Sequence, residues 1–452
     1  MFYKLTMALT LVIAFCSSSV AKQVKTEDYQ QRLDSLASAY QAVYGFSGTV
    51  KIVKAGQPLI EKSYGLADRS FNIENSVNHR FSINSISKAF TAVAVMQLVE
   101  GNKIRLDQSI DNYLPELDTE WKDKVTVHHL LTHTSGLPRE SGVQWYDELS
   151  LEQQVKQLIN QQTLLFSPGE RYEYSNSGIT LLGRIIENVS GEPFSAYMNN
   201  HIIDPLGLAN TGVYVGQRVV ARQAVPYRMT TNGVAMAQRT KHLGQNAGGG
   251  MYSTVSDLYS FVTSLEKNQL LSEKTRQLMF KPQVEMGGGD FSSYGWTLKP
   301  FGEQILWFAS GSGYGTKSVL VRAPESDDFI AVTSNWGNTP ILKLMAGLFL
   351  IINDMDYDIP DEGMLAKPSR YEAFLGTYVF DAGQLNKHLM TDTNSMTLQE
   401  VDGRLFLNDE LLAQKDNGIL GLTYTNEVQI EVNQEHMVII VNDNWLVGKL
   451  QK

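Results

Sequence analysis

A serine nucleophile needs a base within reach and donors for the negative charge that its attack places on a carbonyl oxygen. The run Ser85-Ile86-Ser87-Lys88 offers both at the start of an apolar stretch. Three residues apart on a helix, Ser85 and Lys88 share a face, and a serine at a helix start has a backbone N–H to lend to an oxyanion. The stretch SISKAFTAVAVMQLVE, residues 85–100, has almost no polar side, so Lys88 is expected to be partly desolvated. Desolvation disfavours the charged amine and makes it a usable base. The spacing alone is not specific. S-x-x-K recurs at Ser19–Lys22, where a leader would be cut, and at Ser264–Lys267, where an exposed helix end is the plainer reading.

Tyr174-Ser175-Asn176 supplies a second proton-transfer group and an amide suited to holding a substrate carbonyl and the lysine. Y-x-N also recurs, at Tyr197–Asn199, which reads as helix surface, and at Tyr424–Asn426, which reads as a β-turn. Tyr174 alone follows a Pro-Gly turn and precedes an apolar helix, in SPGERYEYSNSGITLLG, so its polar loop can face a cleft.

Three other patterns carry less. His129 and His133 are four apart, but no H-E-x-x-H surrounds them and no third ligand is evident, so both are expected to be structural, with Thr134-Ser135-Gly136 a turn closing a helix. GSGYGTK, residues 311–317, lacks G-K-[ST] and leads into the strand-like SVLV, which argues against a phosphate loop. Gly248-Gly249-Gly250 suits close backbone packing before a helix capped around Ser256, and the absence of G-x-S-x-G disfavours an α/β-hydrolase elbow.

The elements that must hold these residues follow from periodicity. Two alternating runs between Phe46 and Ala67 flank Ala55-Gly56-Gln57, a hairpin signal. Helices are expected over 85–100, 127–131, 178–189, 256–265 and 341–352, and strands over 317–322 and 328–334 around the turn Ala323-Pro324-Glu325-Ser326. Strands at both ends with helices between predict one mixed α/β domain whose sheet joins its two ends. An acidic, Pro-containing linker, 354–368, closes it. Short alternating runs at 404–407, 428–432 and 437–441 then predict a small antiparallel β domain over 366–452.

Composition sets the outer limits. The 452 residues carry a formal charge of −10, which gives no basic field for a polyanion, so nucleic acid is not an expected partner. Residues 1–21 combine Lys4, an apolar run and small residues at Ser19 and Ala21, the pattern of a cleaved secretory signal. The sole cysteine, Cys16, lies within it, and Phe15 before it does not suit a lipid anchor. A periplasmic or secreted protein without disulfides is expected, with no membrane span, since no apolar run approaches the roughly 20 residues needed.

In order along the chain, FSINSISKAFTA, VHHLLTHTSGLP, SPGERYEYSNSG and AGGGMYSTVSDLYSF resemble the serine beta-lactamase-related hydrolase family, which includes class C beta-lactamases, D,D-peptidases, D-aminopeptidases and esterases. The resemblance covers residues 46–355. It implies a beta-lactamase/D,D-peptidase-like antiparallel sheet flanked by helices with an all-helical region, making 22–365 the hydrolase domain. It also implies acyl-enzyme chemistry in which Ser85 attacks, Lys88 and Tyr174 exchange protons and Asn176 positions the substrate. Family members carry Lys-Thr-Gly or His-x-Gly on the strand lining the cleft. Here the matching triplet is Ala309-Ser310-Gly311 in WFASGSGYGTKSVLV, with alanine at the basic position, although Ser310 could also be taken as the replaced residue. The expected function is an exported serine hydrolase, esterase-like, acting on a small ester or peptide-like substrate with no metal and no organic cofactor. D,D-peptidase or beta-lactamase activity, or a catalytically weak peptidoglycan- or peptide-binding protein on the same fold, are the alternatives. Arg322 or Lys317 is a candidate to replace the missing cation.

Overall fold

The computed structural model describes residues 26–140, 149–158, 163–216, 218–237, 247–389, 393–415, 419–425, 427–441 and 444–451. The proposed leader with Cys16, and Asn426, lie outside the described residues.

Ala55 and Gly56 both take positive φ, 47° and 72°, and turn strand Gly48–Lys54 directly into Gln57–Tyr64. That hairpin forms one edge of an eight-stranded sheet. Gly48–Lys54 pairs antiparallel with Asp328–Ser334, so the sheet joins the two ends of the domain. The next strands are Lys317–Ala323, Gln304–Ser312 and Thr297–Phe301, followed by the short pair Asp290–Ser292 and Val284–Gly287.

Alternating side chains divide the sheet's faces between two cores. Val50, Ile52, Val319, Ile330 and Val332 pack on one side with Leu33 and Leu36 of the 26–44 helix and Leu344, Leu348 and Ile351 of the Ile341–Ile352 helix. Leu298, Ala309, Leu320, Phe329 and Ala331 join the other core, built around the helix Ser87–Glu100. That helix is buried nearly all round, as its apolar sequence demands, and Phe90 stacks on Phe261 of the helix Val255–Glu266 with ring centroids 3.7 Å apart. Helices Val127–Leu131, Leu151–Leu158 and Asn176–Ser190 complete this all-helical side.

From Gly376 to Leu450 eight strands form an antiparallel meander that closes into a barrel, Tyr378 pairing with Leu450. Its interior holds Tyr378, Leu398, Leu405, Ile430, Met437 and Ile439. The small β domain is therefore a closed barrel, which leaves no open sheet edge.

Two local expectations change. The helix after Gly248-Gly249-Gly250 is capped by Thr254, whose side chain accepts from the Asp257 N–H, rather than by Ser256. Tyr197 is a core residue at 4% exposure, not helix surface, because it faces the helix Ser87–Glu100 and packs near His201.

Candidate active site

The chain enters the site through a tight turn. Asn84 adopts φ 47°, a left-handed conformation that asparagine tolerates, and Asn84–Ile86 forms a 3-10 turn ahead of the α-helix. Ser85 therefore sits in a 3-10 turn just before the helix rather than in its first α turn. The turn is pinned from several directions: Ser87 Oγ donates to Asn84 O (2.6 Å), the Ile83 N–H donates to Met251 O (3.0 Å), and Ser318 Oγ donates to Ile83 O (2.7 Å). Strand Gln304–Ser312 runs so close that a Cβ on Gly311 would lie 2.2 Å from Ile83 O, which is why glycine stands there.

Lys88 is buried, and its Nζ donates to Ser85 Oγ (3.0 Å) and to Gly248 O (2.7 Å). Gly248 thus acts through its carbonyl, and the neighbouring Ala247 carbonyl accepts from Thr91 Oγ1 (2.7 Å). The second segment arrives from the opposite side. Ser175 caps the helix Asn176–Ser190 by accepting from the Gly178 N–H, which leaves Tyr174 just outside the helix, and the phenol donates to Ser85 Oγ (2.9 Å). The structure thus brings Ser85, Lys88 and Tyr174 together on one oxygen.

Among the described residues no hydrogen bond joins Asn176 to Lys88. The Asn176 Nδ2 donates to Glu140 Oε1 (2.7 Å), while its backbone N–H donates to Arg139 O (2.8 Å). Burial raises the Glu140 carboxyl above its ordinary range, and the Asn176 bond together with the charges of Arg139 and Lys88 works against that rise. Arg139 places its guanidinium carbon 5.0 Å from the Tyr174 ring centroid, and the Lys88 ammonium lies at 5.0 Å from the same centroid.

His133, read from sequence as structural, packs on the catalytic tyrosine candidate. Its ring stacks on Tyr174 with centroids 4.7 Å apart, and its Nδ1 accepts from the Ser175 N–H (3.2 Å). Burial and the Lys88 and Arg139 charges push its pKa down to about 3, against the weaker opposite pull of the Ser175 bond. His129 instead closes a capping box with Thr126. Among the described residues no group of three His, Cys, Asp or Glu side chains could hold a metal ion. Glu140 and His133 are contacts across long sequence separations, and no local pattern announced them.

On the strand Gln304–Ser312, Ala309 faces the core around the helix Ser87–Glu100 and Gly311 abuts the Asn84–Ile86 turn, whereas Ser310 alternates to the other face. The residue of this strand that faces the helix following Ser85 is therefore Ala309, and it brings no charge. Neither suggested replacement stands in for it. Arg322 is bonded to Glu266 (2.5 and 2.6 Å) and Asp327 (2.6 Å), and Lys317 points to the reverse face, donating to Ser312 Oγ (2.6 Å). Of the decoys, Ser264 is buried with its hydroxyl on Phe261 O (2.6 Å) rather than at an exposed helix end. The 311–317 segment forms a strand-to-strand turn.

Fold and constellation together define a serine hydrolase of the S-x-x-K type. The chain belongs to the beta-lactamase family, whose model, described as Beta-lactamase, matches residues 33–346. It is similar to the putative penicillin-binding protein PbpX of Bacillus subtilis (strain 168), 32% identical over 275 residues that make up 61% of this chain and 66% of that protein. It is also similar to penicillin-binding protein 4* of the same organism, 24% identical over 92% of this chain and 95% of that one. Among solved structures, a penicillin binding protein from Bacillus halodurans shares 27% identity at a TM-score of 0.65, covering 70% of this chain and 99% of the other. No helix among the described residues is long and apolar enough to cross a membrane.

Proposed function

We propose that this chain is an exported serine hydrolase that forms an acyl-enzyme on Ser85, with esters lacking a free carboxylate as its preferred substrates. The observation that carries the reading is the convergence of Lys88 Nζ (3.0 Å) and the Tyr174 hydroxyl (2.9 Å) on Ser85 Oγ. As Ser85 Oγ bonds to the acyl carbon, its proton passes to this Lys88–Tyr174 pair, and the departing alkoxide takes a proton back. Water then attacks the acyl carbon, gives a proton to the same pair, and Ser85 leaves as the protonated alcohol. Asn176, held by Glu140, retains a second amide hydrogen for the substrate carbonyl. The triplet Ala309-Ser310-Gly311 supplies no cation to pair with a substrate carboxylate, which favours substrates without one. Export rests on the leader-like residues 1–21.

Relatives named as penicillin-binding proteins favour a second reading, in which a beta-lactam or peptide is the acyl donor. One comparison separates the two: a fluorophosphonate and a fluorescent penicillin are offered to the wild type and to Ser85→Ala. The first reading expects fluorophosphonate labelling and ester turnover that both vanish in Ser85→Ala, with slow or no penicillin labelling. Ester turnover that survives Ser85→Ala overturns it, and rapid penicillin labelling favours the second reading.

A further inference from the structure

The barrel touches the catalytic domain at the turn that supports the nucleophile. The turn joins strands Gln304–Ser312 and Lys317–Ala323, and the Gly313 N–H donates to Thr316 O (2.8 Å). On one side it grips Asn84: Asn84 Nδ2 donates to Thr316 Oγ1 (3.1 Å), and a Cβ on Gly313 would lie 2.6 Å from Asn84 Oδ1. On the other side Lys317 Nζ ties to Ser312 Oγ (2.6 Å) and lies 4.3 Å from the centroid of Tyr424, a barrel residue. Lys317 is only 6% exposed and pairs with no carboxylate in a salt bridge among the described residues, so the Ser312 hydroxyl and the Tyr424 ring are the contacts that offset its lost water. Desolvation lowers the Lys317 ammonium to about 8, opposed by the charge of Glu410.

The ring is itself surrounded. Burial and then the charge of Glu410 push the Tyr424 phenol well above its ordinary value, Glu410 Oε1 accepts from Arg228 Nη1 (3.2 Å), and the Arg228 guanidinium carbon lies 4.8 Å from the centroid of Tyr314, at the tip of the same turn. A continuous set of contacts therefore runs from the barrel through Lys317 and the turn to Asn84, the residue before Ser85.

We propose that Tyr424 is a positioning residue for the reaction: its ring, beneath the Lys317 ammonium, fixes the 312–317 turn and through Asn84 the place of Ser85 Oγ. The barrel is then a working part of the hydrolase and not a separate binding module. This rests on Ser85 being the nucleophile, so every variant is compared with a wild type first shown to label at Ser85.

The test uses full-length Tyr424→Leu, Tyr424→Phe and Lys317→Met, with circular dichroism to establish folding. Steady-state turnover of a short neutral ester and the rate of fluorophosphonate labelling are measured for each. A displaced nucleophile loses rate steeply with distance, so Tyr424→Leu should cut kcat and the labelling rate by about ten- to a hundredfold with KM little changed. Tyr424→Phe keeps the ring face and should remain within about twofold of the wild type. Should Tyr424→Leu fail to fold, Lys317→Met removes the same contact from the other side and should show the same loss. Wild-type kcat in a folded Tyr424→Leu or Lys317→Met overturns the proposal, as does a Tyr424→Phe variant as impaired as Tyr424→Leu. A wild type that does not label at Ser85 refutes the underlying assignment instead.

Discussion

The imidazole of His133 lies against the ring of Tyr174, 4.7 Å between centroids, and takes the Ser175 N–H on Nδ1 at 3.2 Å. A buried ring beside Lys88 and Arg139 resists taking a positive charge of its own, so it stays neutral down to about pH 3 against an ordinary value of 6.5. The unfolded chain takes up that proton as the pH drops below 6.5, whereas the folded chain does so only near 3. The stability owed to neutral His133 is complete above the upper value and lost as pH falls through this window, by about 1.4 kcal/mol per unit. His133→Gln, which keeps an acceptor but cannot titrate, should therefore melt with a flatter acid dependence than the wild type. Parallel pH dependences would mean that His133 does not carry this term.

Glu140 and Asn176 should behave as one unit. If Glu140 holds the Asn176 amide for the substrate carbonyl, Glu140→Ala should lower kcat/KM by roughly 10- to 150-fold, the range for a charge-assisted hydrogen bond of about 1.5–3 kcal/mol. Glu140→Gln retains an acceptor and should lose less. The double variant Glu140→Ala with Asn176→Ala should be little worse than either single change. Fully additive losses in steady-state kinetics would show that the two act separately.

Much of the scaffold was legible in local sequence, and the reasons are physical. Val127–Leu131, Asp328–Ser334 and Ile341–Ile352 have the bounds read from periodicity, because capping, alternation and a continuous apolar run leave few alternatives. Gly56 between two alternating runs announced its hairpin because glycine takes positive φ without strain, whereas the positive φ of Ala55 is one that alanine rarely adopts and the sequence did not signal. Contacts that close over long separations were invisible. His133 on Tyr174, Glu140 on Asn176 and Gly248 O on Lys88 exist only once helices and loops have packed. Tyr197 misled because a short helix can bury the face that its neighbours cover, and alternation in the last strands cannot say whether a meander closes into a barrel.

The stretch between the catalytic domain and the barrel should be the first to be cut by a protease. Met355 and Ile359 are exposed at 44% and 50%, and neither belongs to a helix or strand. Its ends are tethered: Tyr29 donates to Asp354 Oδ1 (2.8 Å), and Ala366 is packed in the barrel core. Cleavage is therefore expected within 355–361, yielding two protected fragments whose masses place the domain boundary near 365. Initial cleavage inside either predicted domain would contradict that division.

The absent cation on the cleft strand makes the sharpest forecast about substrate choice. Ala309 projects from the strand face that meets the helix Ser87–Glu100, where it offers neither a charged hydrogen bond nor a positive field. Arg322 is engaged by Glu266 and Asp327, and Lys317 by Ser312 and the Tyr424 ring, so neither is placed to compensate. A charged hydrogen bond of about 1.5–3 kcal/mol corresponds to roughly 10- to 150-fold in kcat/KM for substrates that end in a free carboxylate. Ala309→Lys should therefore raise kcat/KM for carboxylate-bearing substrates selectively, while a short neutral ester, which needs no such contact, changes little. Parallel assays of one neutral ester and one carboxylate-terminated ester of the same acyl group provide the comparison. Equal effects on both would place the role of position 309 in the chemistry of Ser85 and Tyr174 rather than in recognition. Wild-type preference for the charged ester would point to a cation elsewhere in the cleft, and Arg139, beside the Tyr174 ring, is the side chain whose replacement by Gln would then abolish it.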